Sequence, residues 1–238
     1  MRPGRWEERA RRLSHVDILE PLPLEEIERL NWRLPVFRLE RGELCYAPGD
    51  PADRLFLLHE GRVRLYKPVG GREFTLAVVG PGTVFGEMSL TGGVGRQGAY
   101  AEALEPAEVS VLGKEDLRRL IREHPEVGIR LITLLSRRLR DREERLAEMA
   151  GRDVAGRLAA LLARLAEEEG VVTQEGYRIP FRYTHRQLGS MIGANREAVT
   201  KALGRLQKSG AVAVSDRRLL VRDLGLLKKL AGYVSEDT

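Results

Sequence analysis

Apolar and polar positions change rhythm along the chain, and each change marks a different kind of element. A short helical entry comes first, with Leu22, Pro23 and Leu24 opening a helix through residues 25–30. From about Val36 the pattern becomes short apolar alternations broken by glycine. Arg54-Leu55-Phe56-Leu57-Leu58 is followed by Gly61, then by Val63, Leu65 and Tyr66 at strand spacing. Gly70-Gly71 makes a tight turn before the apolar run at 74–79, Pro81-Gly82 turns into Val84-Phe85, and residues 107–112 form a further strand. Short strands with turn signals every ~8–12 residues predict a sandwich or barrel rather than parallel βαβ units. The expectation is a small antiparallel β-roll of about eight strands.

After Gly113 the period becomes helical. A short helix is expected over 114–123, and Pro125 stands where it can open the next one. Ile132, Leu135, Leu139, Arg142, Leu146 and Met149 then recur at alternating spacings of three and four, a heptad seam with one charged position. Such a helix either packs on its own β-domain or pairs with a second copy. The flanking Arg137, Arg138, Arg140, Asp141, Glu143, Glu144 and Arg145 leave little besides the seam to bury, which favours a homodimer through Ile132, Leu135, Leu139, Leu146 and Met149. Gly151 breaks the helix, Asp153 is placed to cap the next, and a hinge is expected near 149–153. Leu158, Leu161, Leu162 and Leu165 then give an apolar stripe to about Glu169, and a short hairpin is expected across 170–182.

Charge divides the chain further. Residues 1–150 hold 25 Lys and Arg against 25 Asp and Glu, whereas 151–238 hold 15 against 10, so the whole +5 lies in the last third. Within 178–218 nine basic residues face only Glu197 and Asp216. A local excess of this size neutralises phosphates and releases counterions, the main source of non-specific DNA affinity. Hydrophobic content of 42% supports real cores, and aromatic content of 5% makes them mostly aliphatic. No apolar run approaches a membrane span, and the polar, basic first twelve residues do not read as a secretory signal, so a cytoplasmic location is expected. Scarce Asn, Gln, Cys and Met with abundant Arg and Glu fit either a thermophile or a GC-rich genome.

The segment 184–210 carries the strongest functional pattern. Thr184, followed by His185, is placed to cap a helix from Arg186 to Met191, with Leu188 and Ile192 inward, and Gly193 permits the left-handed turn of a helix-turn-helix. Asn195 caps a second helix with Ala198, Val199, Ala202, Leu203 and Leu206 on its buried face. Its other face presents Arg196, Glu197, Thr200, Lys201 and Arg205. Residues near the start of such a helix meet base edges in the major groove. Arg196 suits guanine, Glu197 accepts from a cytosine amino group, and Lys201 reaches guanine or a phosphate. Behind them two short strands flank Ser215-Asp216-Arg217-Arg218, a hairpin whose tip is a basic wing.

With these residues in view the chain resembles the Crp/Fnr family over nearly its whole length. Gly80-Pro81-Gly82-Thr83-Val84-Phe85-Gly86-Glu87-Met88 resembles that family's effector-binding motif, and Arg152-Asp153-Val154-Ala155-Gly156-Arg157-Leu158 its first DNA-domain helix. Asn195-Arg196-Glu197-Ala198-Val199-Thr200-Lys201 is similar to its recognition helix. The resemblance implies an α+β chain: a cyclic-nucleotide-binding-type β-roll over 1–124, a long dimerisation helix over 125–150, and a winged helix-turn-helix over 151–238. It further implies a homodimer that binds double-stranded DNA at a two-fold symmetric operator and meets RNA polymerase, with activation the expected outcome.

The effector site departs from the family pattern. Glu87 matches the glutamate that takes the ribose hydroxyl of cyclic AMP, with Met88 beside it. Counting on places Gln97 where the family has the phosphate-binding arginine and Gly98 at the neighbouring serine, while Arg96 falls one residue early and faces the other side of a strand. The two hydroxyl residues that meet adenine correspond to Arg142 and Glu143. Cyclic AMP is therefore not expected as a requirement. The alternative is a regulator gated by another small anionic effector, held by Arg96, Arg142 and the loop glycines Gly92, Gly93, Gly95 and Gly98. Other classes lack their residues. His15, His59, His124 and His185 stand alone, so no metal site or metalloenzyme of the cupin kind is expected. No catalytic triad is suggested and Cys45 is the only cysteine, read as a small apolar strand residue rather than a redox switch.

Overall fold

The computed structural model describes residues 11–87, 95–215 and 217–232. Contacts divide the chain into two compact units, one of residues up to 69 with 75–140, the other of 70–74 with 141 onward.

In the first unit a 3₁₀ turn Asp17–Leu19 and α1 (Leu24–Arg33) precede eight strands, β1 Val36–Leu39, β2 Leu44–Tyr46, β3 Arg54–Glu60, β4 Val63–Val69, β5 Arg72–Val79, β6 Val84–Phe85, β7 Tyr100–Ala103 and β8 Ala107–Gly113. They form two four-stranded sheets, ordered β1-β8-β3-β6 and β2-β7-β4-β5. β3 shows why the roll closes. Alternate strand residues point to opposite faces, and here both faces are buried. Leu55 and Leu57 join Leu30, Leu112, Leu117, Val127 and Leu134 in a core shared with the helices. Phe56 and Leu58 join Tyr46, Val63, Leu65, Phe85, Ala101 and Ala103 between the sheets. Gly61 makes the β3–β4 turn with φ of 77°, and a Cβ there would lie 2.4 Å from the Pro106 carbonyl oxygen. Only glycine fits both demands.

α2 (Lys114–Glu123) leads into α3 (Pro125–Gly151), which carries apolar residues on two edges. Val127 and Leu134 are buried in the core. Ile129, Ile132, Leu139 and Leu146 are 64%, 61%, 59% and 67% exposed, while Leu135 is half-buried. The expectation that α3 has little besides its seam to bury needs correction at two flanking positions. Arg138 is directed into the roll, at 16% side-chain exposure. Arg145 is also largely removed from water, and that burial, followed by the nearby Arg164, lowers its pKa below the ordinary arginine value. A long arginine stem covers apolar surface as an aliphatic chain does, so charge alone does not mark a solvent-facing position.

The second unit contains α4 (Val154–Glu169), β9 (Val171–Thr173), β10 (Gly176–Arg178), α5 (His185–Ile192), α6 (Arg196–Lys208), β11 (Val212–Ser215), β12 (Arg218–Val221) and α7 (Leu224–Leu230). Its sheet runs β11-β12-β10-β9. The end of α3 is bound to this unit by Glu148, 3.0 Å from Arg152 and 3.7 Å from Arg164. α4 is the central helix. Leu158, Leu161, Leu162 and Leu165, with alanines between them, pack on Leu188, Val199, Leu203, Leu206 and Leu227. Among the described residues no helix is long and apolar enough to cross a membrane.

Candidate nucleic-acid interface and effector pocket

Local chemistry fixes the α5–α6 pair. Thr184 accepts from the Gln187 backbone N–H while the Gln187 side chain accepts from the Thr184 N–H, a reciprocal capping box. Gly193 ends α5 at φ 66°, ψ 36°, in the left-handed region. The Asn195 side chain accepts from the Ala198 N–H at 2.7 Å and opens α6. Two supports escaped the sequence reading. Arg157 of α4 donates through Nε to the Ile192 carbonyl at 3.0 Å and through Nη1 to the Arg152 carbonyl at 2.9 Å. It thereby satisfies a carbonyl that the end of α5 would leave orphaned. Gly189 lets the turn close onto α5, since a Cβ there would lie 2.6 Å from the Ala194 carbonyl oxygen. The only sequence sign of Arg157 was its place in the motif at 152–158.

α6 buries Val199, Ala202, Leu203 and Leu206. Arg196, Glu197, Lys201 and Arg205 are exposed, as are Asn195 before them and Arg186 on α5. Arg205 has a loose partner in Asp153 at 3.9 Å, with both side chains about seven-tenths exposed; such a contact is worth little in water. Thr200 and His185 meet instead of standing free: His185 Nδ1 lies 2.8 Å from Thr200 Oγ1, which donates to the Arg196 carbonyl at 2.9 Å. In the wing, Ser215 pairs with Arg218 across β11 and β12. Arg217 sits at the exposed tip with φ of 60°, while Arg218 begins β12 and is half-buried. Asp216 lies outside the described residues.

In the first unit Glu87 is only 5% exposed. Its carboxylate lies 2.8 Å from Arg138 Nη1. Arg138 Nη2 donates to Thr83 Oγ1 at 3.3 Å and to the Val84 carbonyl. The glutamate expected to take a ligand hydroxyl therefore has an arginine of its own chain beside it. Gln97 is 7% exposed and, among the described residues, its Nε2 has no hydrogen-bond partner. Its backbone is anchored, donating to Asp50 O at 2.8 Å and accepting from Gly49 N at 2.9 Å. Arg96 is exposed and its Nη1 donates to the Gly49 carbonyl at 2.7 Å. Gly95 and Gly98 are exposed, whereas Met88, Gly92 and Gly93 lie outside the described residues. Arg142 and Glu143 are exposed on α3. Cys45 lies on β2, where burial pushes its thiol up to about 12. His59 is buried on Ser110 at 2.7 Å. No cluster of three or more His, Cys, Asp or Glu residues able to hold a metal exists among the described residues.

Both units match known families. Residues 36–124 match the cyclic nucleotide-binding domain, and residues 156–230 match the Crp-like helix-turn-helix domain. The chain is 32% identical over 222 residues to a CRP-like cAMP-activated global transcriptional regulator of Mycobacterium tuberculosis, covering 92% of this chain and 98% of that protein. It is 35% identical over 192 residues to a cyclic AMP receptor protein of Thermus thermophilus, covering 80% and 85%. A solved CRP/FNR-family transcriptional regulator of Thermus thermophilus superposes with a TM-score of 0.69 at 29% identity, covering 83% of this chain and 98% of that one. With a β-roll, a long helix and a capped, basic helix-turn-helix each in place, the chain belongs to the CRP/FNR family of DNA-binding transcription regulators.

Proposed function

We propose that the chain works in the cytoplasm as a homodimeric regulator, an activator that meets RNA polymerase, and reads a near-palindromic operator without requiring cyclic AMP. Residues 1–124 form the sensing part, 125–150 the dimerisation helix and 151–238 the DNA-binding part. Arg196, Glu197 and Lys201 read bases. Thr184, His185, Arg186, Asn195, Thr200, Arg205, Arg217 and Arg218 contact or position the backbone and wing. The dimer reading rests on the exposed apolar row Ile132, Leu139 and Leu146, which recurs every seven residues on a helix and is what a two-stranded seam needs.

Independence from cyclic AMP rests on Gln97. A cyclic phosphate removed from water needs a cation or several donors, and the buried side chain at this place is a neutral amide. The relatives above carry names that tie them to cyclic AMP, whereas the reading for this chain rests on its own neutral Gln97. Selection of binding sites by the purified protein from random duplex DNA, with and without cyclic AMP, tests both statements. Two-fold symmetric sites enriched equally in the two selections are expected. Failure to enrich any site removes the DNA-reading proposal, and enrichment only with cyclic AMP removes the independence. A second reading, gating by a different small anion, is favoured by the unpartnered Gln97 amide.

A further inference from the structure

The seam on α3 consists of two rows that each recur every seven residues, Ile132, Leu139 and Leu146 in one and Leu135, Arg142 and Met149 in the other. Arg142 is the one charged residue in either row, and it is exposed. Its own helix does nothing to offset it. Neighbours on a helix surface stand three and four residues away. For Arg142 these are Arg138, Leu139, Arg145 and Leu146, two of them also arginines. Asp141 and Glu143, next to it in sequence, point to other sides of the helix. Glu143 is exposed as well, and among the described residues neither Arg142 nor Glu143 forms an ion pair. An unpaired guanidinium carried into an apolar seam is costly, and two copies of it facing one another add like-charge repulsion. A homodimer closes favourably over this position when the second copy brings a carboxylate to it.

We propose that Arg142 of each chain pairs with the partner's Glu143 across a parallel, in-register seam, and that these two reciprocal pairs fix the register of the dimer and select a second copy of this chain as the partner. In the heptad Arg142 holds position d and Glu143 position e. The hole that receives a d side chain in a parallel pair is walled in part by the e residue of the facing helix, so the partner's Glu143 is the carboxylate beside Arg142. The competitor for that glutamate is Arg138, at a g position, which pairs with e across such a seam. Arg138 is committed within its own chain, 2.8 Å from Glu87 and donating to Thr83 and to the Val84 carbonyl. Glu143 is thus left to Arg142. Sliding one helix by seven residues keeps most of the apolar rows in contact but sets Ser136 or Ala150 where Glu143 belongs, and the unpaired arginine penalises the slip. Apolar rows alone accept any helix of the same spacing, whereas an arginine that needs a facing glutamate accepts fewer. The inference rests on the proposed homodimer and gives it a register and a partner preference.

Charge reversals on the full chain test it. Arg142→Glu and Glu143→Arg each turn two complementary contacts into two like-charge contacts, so each should weaken dimerisation in sedimentation by about tenfold or more. The double variant carries the same pair in reversed order and should dimerise as the wild type does. An equal mixture of the two single variants should form the mixed dimer in excess of random pairing, read by native mass spectrometry, because each variant supplies the charge that the other lacks. Thermal unfolding of each variant checks that it folds, and recovery in the double variant and in the mixture is an outcome that a damaged helix does not give. Single variants that dimerise as tightly as the wild type, a double variant that stays as weak as the singles, or a mixture that pairs at random overturns the proposal while leaving the dimer. A monomeric wild type strikes the dimer reading instead, and the pair falls with it.

Discussion

Thr200 carries two bonds that decide the state of the imidazole beside it. Its hydroxyl hydrogen is spent on the Arg196 carbonyl, so His185 Nδ1, 2.8 Å away, is the donor of that pair. In the neutral ring Nε2 is then the acceptor. Thr200→Val removes both bonds and should weaken operator binding by roughly 0.5–1.5 kcal/mol without altering base preference. Arg196→Ala should cost roughly 1–3 kcal/mol on the cognate operator and relax preference at one base pair. Gel-shift titrations on a set of single-base operator variants separate the two, and an Arg196→Ala protein with unchanged preference would place the helix elsewhere. Thr200 and His185 were both legible in the sequence as candidate DNA-binding residues. Their contact was not, because 15 residues separate them and only the turn at Gly193 brings α5 onto α6. Cys45 offers a chemical check on the β-roll. A thiol pushed up to about 12 by burial is thiolate at pH 8 in only about one molecule in 10⁴. Iodoacetamide should therefore label the native protein far more slowly than the protein in guanidinium, and equal rates would mean that β2 is open to solvent.

At the scale of elements, the signals that carried over were those with a local cause. Thr184, Gly193 and Asn195 each act within three or four residues of themselves, and each was readable as a cap or a turn. The helix Lys114–Glu123 and the stripe ending at Glu169 were readable from period alone. What pattern reading missed are long side chains that cross between elements. Arg138 reaches residues 83–87 from α3, and Arg157 reaches the end of α5 from α4. An arginine's charge makes it look solvent-facing, although its guanidinium can satisfy two or three acceptors at once. Thr184→Ala should cost about 1 kcal/mol by opening the capping box. Arg157→Leu keeps the aliphatic volume and loses both carbonyl contacts, so it should destabilise the second unit by a further amount of the order of 1–3 kcal/mol. Chemical denaturation of the two variants measures both. An Arg157→Leu protein as stable as the wild type would show that water serves the Ile192 carbonyl equally well. The wing adds a different element-scale constraint. Arg217 occupies the left-handed region, which disfavours side chains by about 1–2 kcal/mol. Arg217→Gly should therefore stabilise the fold while weakening DNA binding and lowering its salt dependence.

For the whole molecule, charge and symmetry act together. The balanced first 150 residues and the basic remainder put the attraction for DNA in one part of each chain, so two chains bound to one operator multiply the phosphate contacts. Each additional neutralised phosphate steepens the fall of log affinity with log salt by about 0.9. A dimer should thus show roughly twice the salt slope of a single DNA-binding unit. The proposed dimer in turn depends on a row of side chains that a lone chain leaves in water: Ile129, Ile132, Leu139 and Leu146 are each about three-fifths exposed or more. Burying a side chain of this size contributes about 1.5–3 kcal/mol, and four of them from each of two helices suffice for association at micromolar concentration. Leu139→Asp places a carboxylate in the middle of that row, where pairing would bring two like charges together. Sedimentation should find the wild type dimeric and Leu139→Asp monomeric at micromolar concentration. The monomer should bind a single half-site weakly and lose the gain that comes from two half-sites spaced ~10 bp apart, one turn of the duplex. A monomeric wild type, or a Leu139→Asp protein that still binds the full operator with wild-type affinity and salt slope, would remove α3 as the element that sets the operator's symmetry.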